Sequence, residues 1–405
     1  MSRIFSEPHP TPQELEDLFT HACHLHENKM QQEALGSYKQ LLHILPDSPL
    51  LHFNCGLAYF ELEQFSDAEH HYLKASELNP NDPDIHYNRG LNLRRLGDIK
   101  DAASSFKRAL ECGDTSVDTL YTLALCHQDM QDHPEAERLY DIILKRYPDH
   151  LSTLNNYAYL CHKTGSFEKA EQLYRQLVHY APEHQAARHM LNSLCGKTSD
   201  SAPLEYVESV FDNYAKDFEQ SLLVNLNYMT PNRLRKLYND FFPDTLRECC
   251  LDLGCGTGLA GEQFQTCCKK LIGVDISEEM LRVADEKKIY KRLVKDDILH
   301  FLQKASDCPD MILAADVFSY MGDLKRIFVE CSLNIKQGGL FLFSVEESDS
   351  EMFELKTTGR FGHSATYIQK LCQQSGWRIL QIDHSKLRKD RGEWIQGYLF
   401  IIEKI

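Results

Sequence analysis

Small residues recur every 34 positions through the first half of the chain, and no other feature constrains the fold as tightly. Ala34, Ala68, Ala102, Ala136 and Ala170 share one register, and four residues after each stands an aromatic: Tyr38, Tyr72, Phe106, Tyr140 and Tyr174. Eight residues further on come Pro46, Pro80, Pro148 and Pro182, with Asp114 in the remaining place. Twelve residues before each alanine is a second small residue, Ala22, Gly56, Gly90, Ala124 or Ala158. The columns have a physical reading as paired helices. Small side chains mark where two helices approach closely, the aromatic fills the gap one turn later, and proline ends the second helix because it cannot donate the next backbone hydrogen bond. Each pair buries its apolar stripe only against its neighbours, so five pairs predict an all-α solenoid.

These positions resemble the tetratricopeptide repeat over about residues 15–182. The repeat domain is expected to span residues 11–195, with five repeats and a capping helix in EHQAARHMLNSLCG. A solenoid of this kind presents a groove and performs no chemistry of its own. The resemblance implies recognition of a protein or peptide, the alternative being a dimerisation surface or a rigid spacer. His21, His24 and His26 do not share one helical side, so they read as surface histidines, and no metal site is expected. Residues 196–204, which contain GKTSDSAP, break the helical pattern and read as a linker to a second domain at 205–405.

Charge limits the partners. The chain has 405 residues and a net charge of −16; residues 1–200 hold 18 Lys+Arg against 29 Asp+Glu, or −11, leaving 26 against 31, or −5, for the rest. Phosphate backbones need a concentrated basic surface, so nucleic acid is not an expected partner. No apolar run approaches membrane-spanning length, the N-terminal residues lack a secretory pattern, and the 14 cysteines show no disulfide or zinc spacing. A cytoplasmic protein with reduced thiols is the expectation.

The second half alternates strand and helix patterns. CCLDLGCGTGLAG, residues 249–261, reads as a buried strand to Leu253, then a glycine-rich turn into a helix, where backbone N–H groups can approach a ligand. KKLIGVDIS ends a second strand at Asp275, seventeen residues after Gly258, where a carboxylate can accept two ribose hydroxyls. Asp296 and Asp297 close a third strand, a fourth ends near Asp316, and Gly338-Gly339 turns into a fifth. This order predicts a doubly wound sheet with its ligand at the carboxyl ends of the strands. A dinucleotide fingerprint beginning at Gly254 would need glycine or alanine at position 259, where Leu259 stands, so a nicotinamide dehydrogenase is the weaker reading.

As an ordered set these elements resemble the class I S-adenosylmethionine-dependent methyltransferases over about residues 205–405. The resemblance implies a Rossmann-like α/β domain with a mainly parallel seven-stranded sheet and an antiparallel last strand in EWIQGYLFIIEKI. It implies S-adenosyl-L-methionine as cofactor. Asp252, Gly254, Cys255, Gly256 and Gly258 would surround the methionine moiety, Asp275 and Ile276 the ribose, and Asp297 and Ile298 the adenine. Asp296 is an equally placed candidate for the adenine amino group, and Met280 and Asp316 complete the expected cofactor set.

Two flanking segments are similar to the tetratricopeptide-repeat methyltransferases of bacteria, which have this domain order. YVESVFDNYAKDFEQSLLVNLNYMTP resembles a helical lid, with Tyr206, Phe211, Tyr214 and Phe218 near one face and Tyr214 expected against cofactor. KTTGRFGHSATYIQKLC resembles an insertion beside the sulfonium, which makes Arg360, His363 and Tyr367 substrate-site candidates. An alcohol, thiol or amine acceptor needs a general base, for which His363 leads and Tyr320 follows, whereas a carboxylate needs only a clamp such as Arg360. His363 reads equally as a helix-start hydrogen bond beside the Ser364 cap. Three functions stay open: methyl transfer to a protein brought by the repeats, transfer to a small-molecule or carrier-bound acyl acceptor, and a non-catalytic repeat adaptor.

Overall fold

The computed structural model describes residues 10–215, 218–220, 222–223, 226–304, 307–390 and 392–405, with the side chains of residues 213 and 214 outside this set. The chain forms two compact units, Met1–Gln176 and Leu177–Ile405.

The first unit is built from five helix pairs, Pro12–Glu27 with Gln31–Ile44, Pro49–Glu61 with Phe65–Leu78, Pro83–Leu96 with Ile99–Glu111, Val117–Asp129 with His133–Arg146, and Leu151–Thr164 with Phe167–Tyr180, the last helix crossing the division between units. The repeated columns are its core. All five register alanines have no exposed surface, nor do Ala22, Ala124 and Ala158. The aromatic of each repeat is buried against the small residue of its own first helix: a Cβ on Gly56 would meet the Tyr72 ring at 2.6 Å, and one on Gly90 the Phe106 ring at 2.7 Å. Glycine stands there because the ring fills the space a side chain would take. His26 is engaged by Glu61 at 3.2 Å and Tyr38 at 3.4 Å, and the His24 ring by Asn28.

The second unit holds a sheet of nine strands among the described residues: β1 (Cys250–Leu253), β2 (Leu271–Asp275), β3 (Arg292–Lys295), β4 (Met311–Ala314), β5 (Leu340–Glu347), β6 (Phe353–Leu355), β7 (Phe361–His363), β8 (Trp377–Asp390) and β9 (Glu393–Lys404). β3, β2, β1, β4 and β5 lie side by side and parallel, and β9 runs antiparallel between β5 and β8. These seven are the expected sheet. The other two form a short hairpin in which β7 pairs parallel with the end of β5, at Glu346 and Glu347, beyond the point where β4 has stopped. Successive side chains of a strand face opposite sides, and both sides here are apolar. Leu251, Ile272, Ile312 and Phe341 enter one layer, and Cys250, Leu271, Met311 and Leu340 the other.

The division between units does not fall in the predicted linker. The helix Gln185–Leu194, expected as the solenoid's cap, belongs to the second unit, where His189 Nε2 donates to the Gly359 carbonyl at 2.8 Å and Met190 packs against Gly359 and the Tyr206 hydroxyl. Polar residues at 196–203 suggest a free tether, but their polar groups are taken up by the sheet domain. Ala202 donates to the Tyr320 carbonyl at 3.0 Å, the Asp200 carbonyl accepts from Gly322 and Asp323, and Thr198 Oγ1 accepts from Leu355.

Candidate functional site

The turn after β1 is shaped by three glycines in the left-handed region, Gly254 at φ 64°, Gly256 at 54° and Gly258 at 92°. Side chains are strained there, and at Gly254 none would fit, since a Cβ would come within 2.3 Å of Val317. The turn is therefore pressed against the segment that follows β4. Its N–H groups are aimed at the end of β2: Gly256 donates to Asp275 Oδ2 at 2.8 Å, while Ser277 donates to Oδ1 at 2.9 Å. Burial raises the Asp275 carboxyl above its ordinary range, and these backbone donors oppose the rise.

Asp252 lies in the middle of the same corner. Alternation along β1 turns it into the layer that contains Cys250, Leu271 and Met311, so it is 1% exposed in apolar surroundings. Burial raises its carboxyl from 3.8 to about 7, against the lowering effect of a 2.7 Å bond from the Tyr290 hydroxyl to Oδ2. Its Oδ1 and the Thr257 hydroxyl are buried without hydrogen-bond partners among the described residues. Unsatisfied buried polar atoms are costly, and two of them beside an open glycine turn suit a ligand that brings its own donors.

The remaining predicted cofactor residues divide. Asp296 Oδ1 accepts from the Asp297 N–H and from His300, and Asp297 Oδ1 caps the helix Ile298–Lys304 through the His300 N–H. Ile276 is half-buried directly after Asp275. Met280 has no exposed surface, because the helix Glu278–Glu286 turns it into the core. The Cys255 and Ile298 side chains also point into the protein interior, which leaves their backbones for any ligand.

The predicted lid helix, Leu204–Tyr214, is tied to the rim. Ser277, which caps Glu278–Glu286, donates its hydroxyl to Asp212 at 2.5 Å, and Lys295 pairs with Glu208 at 3.0 Å; beyond the helix, Glu219 pairs with Lys287 at 2.6 Å. Phe218 stands over Gly256, 3.9 Å from where a Cβ would lie, and Phe211 links it to Tyr320, with ring centroids 6.0 and 5.2 Å apart. Tyr206 packs instead on His189 and Met190. The Tyr214 side chain falls outside the described residues.

Beside the turn lies a charge network that local motifs did not foretell. Asp316, with φ 62°, accepts from Arg388 Nη1 at 2.9 and 2.7 Å; Arg388 Nη2 donates to Glu346 at 2.6 Å. Arg360 reaches the same pair from the turn of the β6–β7 hairpin. Its Nη2 donates to Ser319 at 2.9 Å and lies 3.5 Å from Asp316, and its Nε is 2.9 Å from Glu346 but out of line for a hydrogen bond. The guanidinium covers the Tyr320 ring at 5.3 Å. Burial alone would raise the Glu346 carboxyl, but Arg360, Arg388 and Lys356 outweigh it and hold it at about 2. Tyr228, 7% exposed, joins this group because its segment is stitched to β8 on either side of Arg388, by Lys389 to Leu226 and Met229 to Leu387 backbone bonds. Burial and the nearby Asp316 push its hydroxyl well above the usual range, so it keeps its proton.

His363 is not available as a base. It has no exposed surface, its Nε2 donates to the Gly322 carbonyl at 2.9 Å, and its ring stacks on Tyr367. Burial lowers its pKa to about 4, with the Gly322 carbonyl opposing. The hairpin turns it inward while turning Arg360, three residues earlier, toward Asp316. Tyr367 likewise donates to Asp323 and accepts from the Leu324 N–H, which makes it a support for the loop after β4.

The methyltransferase-domain family matches residues 251–343, and tetratricopeptide-repeat families match residues 15–47, 56–93, 83–111 and 115–181. A probable S-adenosylmethionine-dependent methyltransferase of Saccharomyces cerevisiae is 28% identical over 138 residues, 32% of this chain and 45% of that protein. A malonyl-[acyl-carrier protein] O-methyltransferase of Hamiltonella defensa is 27% identical over 138 residues, 34% of this chain and 51% of that protein. The chain thus spans about half the length of these relatives. An N-methyltransferase of Bradyrhizobium japonicum, solved with S-adenosyl-L-homocysteine, is 18% identical, with 42% of this chain and 86% of that chain covered and a TM-score of 0.36. No helix among the described residues is long and apolar enough to cross a membrane. The chain joins tetratricopeptide repeats to a domain that matches a methyltransferase family.

Proposed function

We propose that this protein transfers a methyl group from S-adenosyl-L-methionine to an acceptor in the aromatic mouth beside the glycine turn, and that its repeats recruit a protein partner or substrate. The observation that carries the reading is the corner formed by Asp275, its N–H donors and the unsatisfied Asp252 Oδ1 and Thr257 hydroxyl. The two ribose hydroxyls would donate to Asp275, the α-ammonium to Asp252, and the adenine amino group to Asp296 or Asp297. Bound cofactor supplies an electrophilic methyl on a sulfonium. The protein contributes alignment and exclusion of water, for which Phe211, Phe218 and Tyr320 form a wall over the turn.

The aromatic wall of Phe211, Phe218 and Tyr320 suits an acceptor group on a small molecule, a carrier arm or an extended peptide. Similarity to an O-methyltransferase of carrier-bound malonyl groups supports the carrier-arm version, in which the repeats serve assembly alone. Calorimetry with S-adenosylhomocysteine and NADH tests the cofactor reading: micromolar binding of NADH with no heat from S-adenosylhomocysteine would overturn it.

A further inference from the structure

We propose that the methyl acceptor is a carboxylate, held by Arg360 and Tyr228 and converted to a methyl ester without a general base. The inference rests on the methyl-transfer reading above and adds the class of substrate.

It follows from what the mouth offers an acceptor. Asp316 is engaged by Arg388 through both oxygens and has Arg360 beside it, and Glu346 faces Arg388, Arg360 and Lys356. Carboxylates committed to guanidinium groups in a buried site are poor proton acceptors. His363, the obvious base by sequence, is enclosed and donates to a carbonyl. Asp252 lies beneath the glycine turn, bonded to Tyr290. What remains are donors. Among the described residues Arg360 Nη1 has no hydrogen bond, its Nε and Nη2 being turned to Glu346, Ser319 and Asp316, and the side chain is 20% exposed. The Tyr228 hydroxyl likewise makes no hydrogen bond among the described residues, and its segment is bonded to β8 on either side of Arg388, which places it at the charge network.

Among the described residues the network side of the mouth presents donors and no uncommitted carboxylate or imidazole, and such a setting selects an acceptor that is already anionic and carries no proton. In the reaction a carboxylate oxygen forms a bond to the methyl carbon, the carbon–sulfur bond breaks, and its electron pair goes to sulfur. Charge cancels without proton movement, leaving a methyl ester and the neutral thioether. An amine or alcohol would need to lose a proton, and Tyr320, the other base candidate, has its ring covered by the Arg360 guanidinium. The wall of Phe211, Phe218 and Tyr320 gives the acceptor's remaining part an apolar face, so an acyl or aryl carboxylate fits better than a small polar acid.

The test is calorimetry on full-length protein saturated with S-adenosylhomocysteine. Benzoate and hexanoate are titrated against their amides and the corresponding amines. The expected result is binding of the carboxylates about tenfold or more tighter than either neutral or cationic analogue, reduced by about tenfold in Arg360→Met and by a smaller factor in Tyr228→Phe. Saturation by S-adenosylhomocysteine in each variant shows that it is folded; should Arg360→Met fail that control, Tyr228→Phe and Arg360→Lys carry the comparison. Equal or tighter binding of amides or amines, or no carboxylate binding to the loaded protein, overturns the proposal. Failure of S-adenosylhomocysteine to bind the unmutated protein refutes the cofactor reading instead.

Discussion

On the proposed reading Asp252 receives the cofactor's α-ammonium, and binding then releases a proton. In the free protein burial sets its carboxyl at about 7, so about half of the molecules hold a proton there at neutral pH. A cation arriving at the unsatisfied Oδ1 stabilises the carboxylate and expels that proton. Apparent affinity then scales with the deprotonated fraction, roughly one-tenth at pH 6, one-half at pH 7 and nine-tenths at pH 8. S-Adenosylmethionine should bind roughly tenfold more tightly at pH 8 than at pH 6, and calorimetry at pH 7 in two buffers of different ionisation enthalpy should report release of about half a proton. Asp252→Asn is the reference, because the ligand's own titration is common to both proteins. Identical pH profiles for the two proteins, or proton uptake on binding, would refute the reasoning. The same group bears on folding with a definite sign. Its folded pKa lies above the unfolded 3.8, so its contribution is fully present below about pH 4 and is lost as pH rises through 7. Asp252→Asn should therefore be the more stable protein at pH 8, by up to roughly 4 kcal/mol at 1.36 kcal/mol per decade, with the difference vanishing near pH 4 in thermal denaturation.

Three further outcomes are expected. Asp275→Ala should weaken S-adenosylhomocysteine binding by about one to two orders of magnitude, the effect of losing charge-assisted bonds to two hydroxyls, and unchanged affinity by calorimetry would place the ribose elsewhere. Arg388→Met should destabilise the protein by about 3–5 kcal/mol in urea denaturation, because Asp316 and Glu346 both lose the guanidinium that pairs them, and a loss under 1 kcal/mol would show that water enters the network. His363→Gln should lower thermal stability while cofactor affinity and turnover stay within about threefold, since the ring supports the Gly322 carbonyl and touches no reactant; a collapse of turnover with a pH-dependent recovery would restore it as a base.

The repeat columns and the glycine turn were legible because each reflects a contact between near neighbours in sequence. Ala34 and Tyr38 lie one helical turn apart, Gly56 and Tyr72 one helix apart, and Gly256 meets Asp275 across a single strand–helix–strand unit. Periodicity and spacing encode such contacts directly. The antiparallel last strand came instead from the resemblance to class I methyltransferases, since β1 with β4 and β5 with β9 pair across long stretches of chain. The spacing of Met280 from Asp275 is compatible with either side of a short helix, and only packing decides that it turns into the core.

The acceptor side depends on contacts that no local pattern records. Asp316 meets Arg388 across 72 positions, Glu346 meets Arg388 across 42, and His363 meets Gly322 across 41. Those meetings require the β6–β7 hairpin to continue the sheet past the end of β4, an insertion whose short strands have no distinctive periodicity. The GRFGHS segment marks Arg360 and His363 as polar residues near the sheet's carboxyl edge, yet they differ by three positions on a turn and strand, so one faces the network and the other the interior. The residues at 196–203 look like a tether because they are small and polar, and tertiary hydrogen bonds make them part of the second unit. Sequence alone determined the solenoid, the cofactor fold and the carboxylates at its strand ends, since those arise from local propensity and short spacing. Which side chains are buried, neutralised or left with donors to spare was decided only by tertiary structure, because desolvation and ion pairing depend on groups brought together from distant parts of the chain.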